Sequence, residues 1–149
     1  MTRSQCWGYN AHGSLGDGTT TTRSTPVDTG LRDAVMVKMT KNIASHTKVL
    51  TSDGTLYAWG SNAACQLGDG TKTARYSPKD VSLAPGYKVT SIGMGAMHTH
   101  IGTADGAVMA WGDNTYGQVI DGHLLDPTPE YRKTPPPLMD KLSPHLASD

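Results

Sequence analysis

Six histidines, two cysteines and several Asp-Gly pairs are the residues of this chain that could do chemistry, given the right neighbours. His98-x-His100 would put two imidazoles on one side of an extended segment, the spacing of a two-ligand metal site. Asp17, Asp69 and Asp121 each precede a glycine, and carboxylates repeated in this way suggest calcium binding or acid–base work. The run Gly13-Ser-Leu-Gly16-Asp-Gly18 looks like a phosphate loop, yet no such run ends in Gly-Lys-Ser/Thr or leads into a helix. No Gly-x-Ser-x-Gly elbow is present. Cys6 and Cys65 have neither metal-ligand spacing nor a His-plus-acid pattern beside them, and a disulfide between them and free thiols both stay open.

A structural use competes with each of these readings. Asp before Gly in a polar turn ordinarily accepts hydrogen bonds from backbone two residues on. His98 has a copy in His46, each followed by Thr, so hydrogen bonding to backbone within a repeated unit is the simpler role for both. These readings lead to an expectation of no catalytic residue, no metal and no cofactor.

The copies extend along the chain. Trp7-Gly8, Trp59-Gly60 and Trp111-Gly112 are spaced 52 residues apart, and Asn10, Asn62 and Asn114 keep the same offset. So do Leu15, Leu67 and Val119. Asp53-Gly54 matches Asp105-Gly106, and Arg23-Ser-Thr-Pro26 matches Arg75-Tyr-Ser-Pro78. Arg132-Lys-Thr-Pro135 reads as a third copy lying 57 beyond the second, which predicts an insertion of about five residues between Asp121 and Arg132. A period near 50 is the mark of blades or solenoid coils, whose units bury apolar faces against one another.

The units read as short strands. Val35–Met39 and Val89–Ile92 alternate apolar residues, and Asp-Gly turns predict hairpins over His46–Trp59 and His98–Trp111, with type I′ geometry. A Gly-rich connection then ends in Asp-Gly, followed by a polar loop closing at Pro26 or Pro78. With 17 Gly and 9 Pro in 149 residues, long helices are not expected. Phe is absent, so aromatic packing falls on 3 Trp and 6 Tyr. Thirteen basic residues balance thirteen acidic ones, which disfavours nucleic acid and anionic membranes as partners. No stretch is apolar enough to span a bilayer, and the first residues hold no signal region, so a cytoplasmic location is expected, or an extracellular one if the chain is part of a larger secreted protein.

The text Trp-Gly-x-Asn, Gly-x-Leu-Gly-Asp-Gly, Thr-Pro-Val, His-Thr and Thr-Ser-Asp-Gly resembles the regulator of chromosome condensation repeat family from Cys6 to about Pro137. The resemblance implies an all-β fold, a partial β-propeller of about two and a half units with four-stranded antiparallel blades, left open or completed by oligomerisation. Kelch propellers share the period but not these marks. Residues 1–137 are assigned to the repeats, and 138–149 to a partly disordered tail. Trp7, Gly8, Asn10, His46, Trp59, Gly60, Asn62, His98, Trp111, Gly112 and Asn114 are the structural repeat positions. Where the family has glycine, this chain has Ile43, so either a positive φ there is strained by about 1–3 kcal/mol or the local path has changed.

The resemblance implies a non-enzymatic protein-binding module whose partner the residues do not name, with a homo-oligomer completing the ring as one route. Its expected contact loops are Thr19–Thr25, Thr71–Ser77 and the stretch holding His123, Leu124, Leu125, Glu130, Tyr131 and Arg132. Two alternatives stay open: guanine nucleotide exchange on a small GTPase, and a fragment with no independent function. Ultraviolet-sensing relatives carry Gly-Trp-Arg-His-Thr, whereas this chain has Ile43-Ala-Ser-His-Thr47 and Gly95-Ala-Met-His-Thr99, which disfavours a photoreceptor role.

Overall fold

Alternating apolar residues and Gly-terminated turns fold the described residues into strands joined by turns and loops. The computed structural model describes residues 3–81 and 87–119, together with the backbone of 128–133. Its strands are β1 (Arg3–Gly8), β2 (Arg23–Arg32), β3 (Ala34–Met39), β4 (His46–Thr51), β5 (Leu56–Gly60), β6 (Arg75–Asp80), β7 (Val89–Met94), β8 (His98–Thr103), β9 (Val108–Gly112) and β10 (Thr128–Lys133). They form three antiparallel sheets: a pair β1-β2, a four-stranded meander β3-β4-β5-β6, and a second meander ordered β7 to β10. The fold is therefore half a blade followed by two whole ones.

The sheets stack face to face because their middle strands are apolar on both sides. Along β5, Leu56 and Ala58 join β7, β8 and β9 residues in one core with Val89, Ile92, Ile101, Met109 and Trp111. Trp59 points the other way, into a second core with Cys6, Leu15 and Val49. Strand β4 is buried along its whole length. Period-2 alternation sends successive side chains to the two neighbouring layers rather than to core and water.

The two hairpins form in the expected register, with His46 opposite Gly60 and His98 opposite Gly112. Their turns differ from the type I′ expectation. Only Gly54 takes positive φ, at 87°, while its amide donates to the Thr51 carbonyl (2.9 Å) and the Thr51 amide donates to the Thr55 carbonyl (3.0 Å). This is a type I turn closed by a glycine bulge. The Asp53 carboxylate accepts from the Thr51 hydroxyl (2.6 Å) and the Thr55 amide (3.0 Å), which holds Asp53 in ordinary backbone space.

Two further expectations change, and at Ile43 the path rather than the strain has changed. The expected loops closing at Pro26 and Pro78 end early, since Arg23–Pro26 and Arg75–Pro78 are already strand. Each proline lies in a bulge, where Tyr76–Pro78 intervene between Arg75, opposite Gly60, and Lys79, opposite Ala58. Thr128 pairs with Gly112 as Arg75 does with Gly60, and Arg132 pairs with Ala110 as Lys79 does with Ala58. Thr128, not Arg132, is thus the ladder counterpart of Arg75, and the expected five-residue insertion shrinks to one. Ile43 does not take positive φ and is 89% exposed, because the Thr40–Ser45 loop is longer than its counterpart Gly95–Met97 and lets the side chain turn outward. Positive φ at non-glycine residues falls instead on Asp33 (56°) and on Cys65, at 59° where the other units have Gly13 (71°) and Gly117 (73°).

The three tryptophans now separate. Trp59 and Trp111 are 0% exposed, whereas Trp7 is 61% exposed. Urea unfolding should find that Trp59→Ala or Trp111→Ala costs about 3–5 kcal/mol or abolishes folding, while Trp7→Ala costs under about 1 kcal/mol.

Candidate functional site

After each Trp-Gly the chain leaves the sheet and must satisfy its own backbone, and one asparagine per unit does so. Asn10 Nδ2 donates to the Thr19 carbonyl (3.0 Å), the Thr21 carbonyl (3.1 Å) and Asp17 Oδ1 (3.3 Å), while its Oδ1 accepts from the Leu15 amide (2.9 Å). Asn62 repeats this with the Thr71 carbonyl (2.8 Å), the Thr73 carbonyl (3.0 Å), Asp69 (3.1 Å) and the Leu67 amide (3.0 Å). Asn114 accepts from the Val119 amide at 2.9 Å. All three are buried, where an unmade bond of this kind costs about 1–3 kcal/mol.

The repeated aspartates brace the same loops. Asp17 accepts from the Thr19 amide and hydroxyl and from Arg23 Nε (2.8 Å); Asp69 does the same with Thr71 and Arg75 Nε (2.7 Å). Burial would raise both carboxyls, but these hydrogen bonds and the guanidinium charge hold them below the usual carboxylate range. Among the described residues no three His, Cys, Asp or Glu are grouped to hold a metal.

The braced loops meet the next blade at one carbonyl. Trp59 Nε1 (2.8 Å) and Thr47 Oγ1 (2.7 Å) both donate to the Ser14 carbonyl. Trp111 Nε1 and Thr99 Oγ1, both at 3.0 Å, donate to the Gln66 carbonyl. The indoles lie so close that a Cβ on Gly16 would come within 2.7 Å of the Trp59 ring, and one on Gly68 within 2.5 Å of the Trp111 ring. Gly60 and Gly112 press equally on the Ser45 and Met97 carbonyls, while a Cβ on Gly8 would meet nothing.

His46 and His98 occupy equivalent positions with different surroundings. His46 is fully buried, with Nδ1 3.2 Å from the Thr40 hydroxyl and 3.4 Å from the Ala44 carbonyl, and its Nε2 has no partner. Burial, then the charge of Lys48, pulls it down to about 3, so the ring is neutral. His98 is partly exposed and meets the His100 ring edge-on at 5.1 Å. His100 Nε2 is taken up by the Gln118 carbonyl (2.8 Å) and so is not aimed with His98 at a shared ligand. Cys6 and Cys65 are buried free thiols, not a disulfide, and burial raises both.

Sequence reasoning passed over Lys48. Its Nζ donates to the Leu67 carbonyl (3.0 Å) and stands 5.2 Å above the Trp111 ring, with no exposure. Burial pushes it down to about 7, partly opposed by Asp69. A lysine inside the apolar run Thr47-Lys-Val-Leu50 was the available signal.

Four exposed apolar residues share one cavity. Trp7, Tyr9, Met39 and Ile43 line a cavity of about 500 Å³ together with Ser14 and Ser45. Tyr116 is also exposed, at the rim of the last described loop. Of the expected contact residues, His123, Leu124 and Leu125 lie outside the described residues, and Glu130, Tyr131 and Arg132 have only their β10 backbone described.

Half a blade and two four-stranded blades stacked through buried tryptophans define a partial β-propeller. Residues 53–101 and 89–118 match the regulator of chromosome condensation (RCC1) repeat, and the chain is a member of that repeat family. It is 35% identical over 122 residues to the ultraviolet-B receptor UVR8 of Arabidopsis thaliana, covering 82% of this chain and 28% of the relative. Over 74 residues, 50% of this chain and 5% of the relative, it is 45% identical to the X-linked retinitis pigmentosa GTPase regulator homolog of Caenorhabditis elegans. The fold superposes on human WBSCR16 with a TM-score of 0.74 at 21% identity, covering 87% of this chain and 34% of that one. Prp20p of Saccharomyces cerevisiae, whose structure was reported with its binding to Gsp1p and histones, gives 0.72 at 21%, covering 89% and 34%. The chain thus spans about a third or less of the relatives it matches. Among the described residues no helix is long and apolar enough to cross a membrane.

Lys48 sets a pH dependence. Unfolded, it holds its proton up to about 10.5, and folded only to about 7, so between these values the unfolded chain binds more protons and stability rises with pH. The slope is at most about 1.4 kcal/mol per pH unit. Thermal melts should show the rise in the parent and its loss in Lys48→Met, which should be the more stable of the two at pH 6.

Proposed function

We propose that this chain is a non-enzymatic interaction module that binds a protein partner through the loops following its Trp-Gly strands and through the segment 123–134. One observation carries this reading. The polar groups with chemical potential are spent on the loops themselves, as in the Asn10–Asp17–Arg23 and Asn62–Asp69–Arg75 networks. The side chains left facing outward on these loops are small or polar, such as Thr20, Lys72 and Thr73, apart from two aromatic ones, Tyr9 and Tyr116. Rigid aromatic anchors carry much of the energy in protein interfaces at small entropic cost. The family supports the same direction, since its repeats serve mainly as binding modules.

The similarity to a GTPase regulator homolog supports a second reading, stimulated nucleotide release from a small GTPase. A release assay with a GTPase panel separates the two, and no acceleration at high protein concentration removes the second. For the first, crosslinking of the intact chain in its native host should capture a partner. Tyr9→Ala with Tyr116→Ala should cut capture at least tenfold with the melting temperature unchanged. Equal capture by that double variant would count against the loops.

A further inference from the structure

Among the described residues two buried side-chain nitrogens have no hydrogen-bond partner, His46 Nε2 and Gln66 Nε2, and both side chains are wholly enclosed. A buried polar group left in this way costs its full desolvation, so folded proteins ordinarily supply something for it. The two belong to one joint. His46 and Lys48 stand on the same face of β4, since side chains alternate along a strand, and Lys48 Nζ reaches the Leu67 carbonyl beside Gln66. Gln66 gives its own carbonyl to Thr99 and Trp111 of the next blade. His46 lies near enough to Lys48 and His98 for their charges to act on it.

The second whole blade shows what stands at the same position there. His98 faces Gly112 as His46 faces Gly60, and the Asp113 amide donates to the Met97 carbonyl (2.9 Å) as the Ser61 amide does to the Ser45 carbonyl (3.0 Å). Asp113 is therefore the counterpart of Ser61. Gln118 Oε1 takes the Tyr116 amide (2.8 Å) and Gln66 Oε1 the Ala64 amide (2.9 Å), so the two glutamines are held alike. Gln118 Nε2, however, donates to Asp113 Oδ2 (2.9 Å), and that carboxylate and His98 act on one another's charge. Ser61 has a shorter, uncharged side chain. In the first whole blade the same amide and imidazole thus lack the carboxylate, and a buried amine, Lys48, stands beside them.

We propose that the joint between the two whole blades binds one small monovalent anion, a halide or a formate-sized carboxylate, through Gln66 Nε2 and His46 Nε2, at the place corresponding to the Asp113 carboxylate. The Thr40 hydroxyl can donate to His46 Nδ1 (3.2 Å), which puts the ring hydrogen on Nε2 as a donor to the ion. Lys48 supplies the compensating positive charge. Asp69, the carboxylate that acts on Lys48, does not serve in the ion's place, because Asn62, Thr71 and Arg75 occupy its oxygens. Cohesion of the two blades then follows the anion around them, by the linkage that any ligand of the folded state alone obeys.

Thermal melts of the intact chain at constant ionic strength, with bulky methanesulfonate replaced by chloride or by formate, test this. The melting temperature should rise by at least about 3 °C at about 100 mM of the smaller ion. The rise should be larger below the folded Lys48 value of about 7 than above it, because the protonated amine favours the anion. Ser61→Asp supplies the carboxylate from the chain itself, and should melt above the parent in methanesulfonate while losing the rise. Gln66→Met removes one donor and should lose the rise too, which keeps the test decisive if Ser61→Asp fails to fold. In the parent, the His46 ring resonances should shift on titration with the effective ion. A rise with formate alone supports a carboxylate, and one with chloride alone a halide. Equal melting in all three salts would assign water to these two nitrogens and overturn the proposal. A rise that persists in Ser61→Asp, or a His46 ring indifferent to the ion, would overturn it as well.

Discussion

One backbone carbonyl per unit holds this structure together. Ser14 and Gln66 each offer an oxygen that takes an indole N–H and a threonine hydroxyl from the following blade. These groups are buried, where their bonds are stronger than in water and their loss leaves two donors unsatisfied. The contact depends on the absence of a side chain at Gly16 and Gly68, which lets the indole rest on the loop backbone. The loop, in turn, can present a fixed carbonyl because Asn10 or Asn62 has saturated its other polar groups.

The lock is directional, since the half blade gives a carbonyl to the first whole blade and that blade gives one to the second. Such heterologous contacts propagate and leave unlike ends. Trp7 belongs to the same repeat position as two fully buried indoles and is mostly in solvent. Lys48 belongs to the same interface, bridging the Leu67 carbonyl and the Trp111 ring. A buried amine there ties the cohesion of the two whole blades to pH, which an aliphatic side chain would not do.

Much of the fold was legible because it is written in spacing. The period of 52 and the hairpins at Asp53-Gly54 and Asp105-Gly106 follow from local alternation and turn residues, while the four strands per unit were what the family resemblance implied. Misreadings came where a local rule met a tertiary demand. The Arg-Lys-Thr-Pro text at 132–135 matches Arg75–Pro78 in letters, but the ladder is set by what faces Gly112 and Ala110, and Thr128 and Arg132 face them. Pro26 and Pro78 read as loop closers, yet edge bulges accommodate a missing amide. Ile43 escaped strain because its loop is longer, and Cys65 accepted a left-handed backbone because the repeat geometry on both sides requires it.

Sequence alone determined the repeat, the strand periodicity and the identity of the residues that recur, since each is a property of neighbours along the chain. Only the tertiary structure decided what those residues do. The partners of Trp59 and Trp111 are main-chain oxygens 45 residues away, and a carbonyl has no letter in the sequence. For the same reason three identical Trp-Gly pairs divide into two core residues and one exposed edge. Burial depends on which blade stacks against a residue, and the pairs themselves carry no record of that.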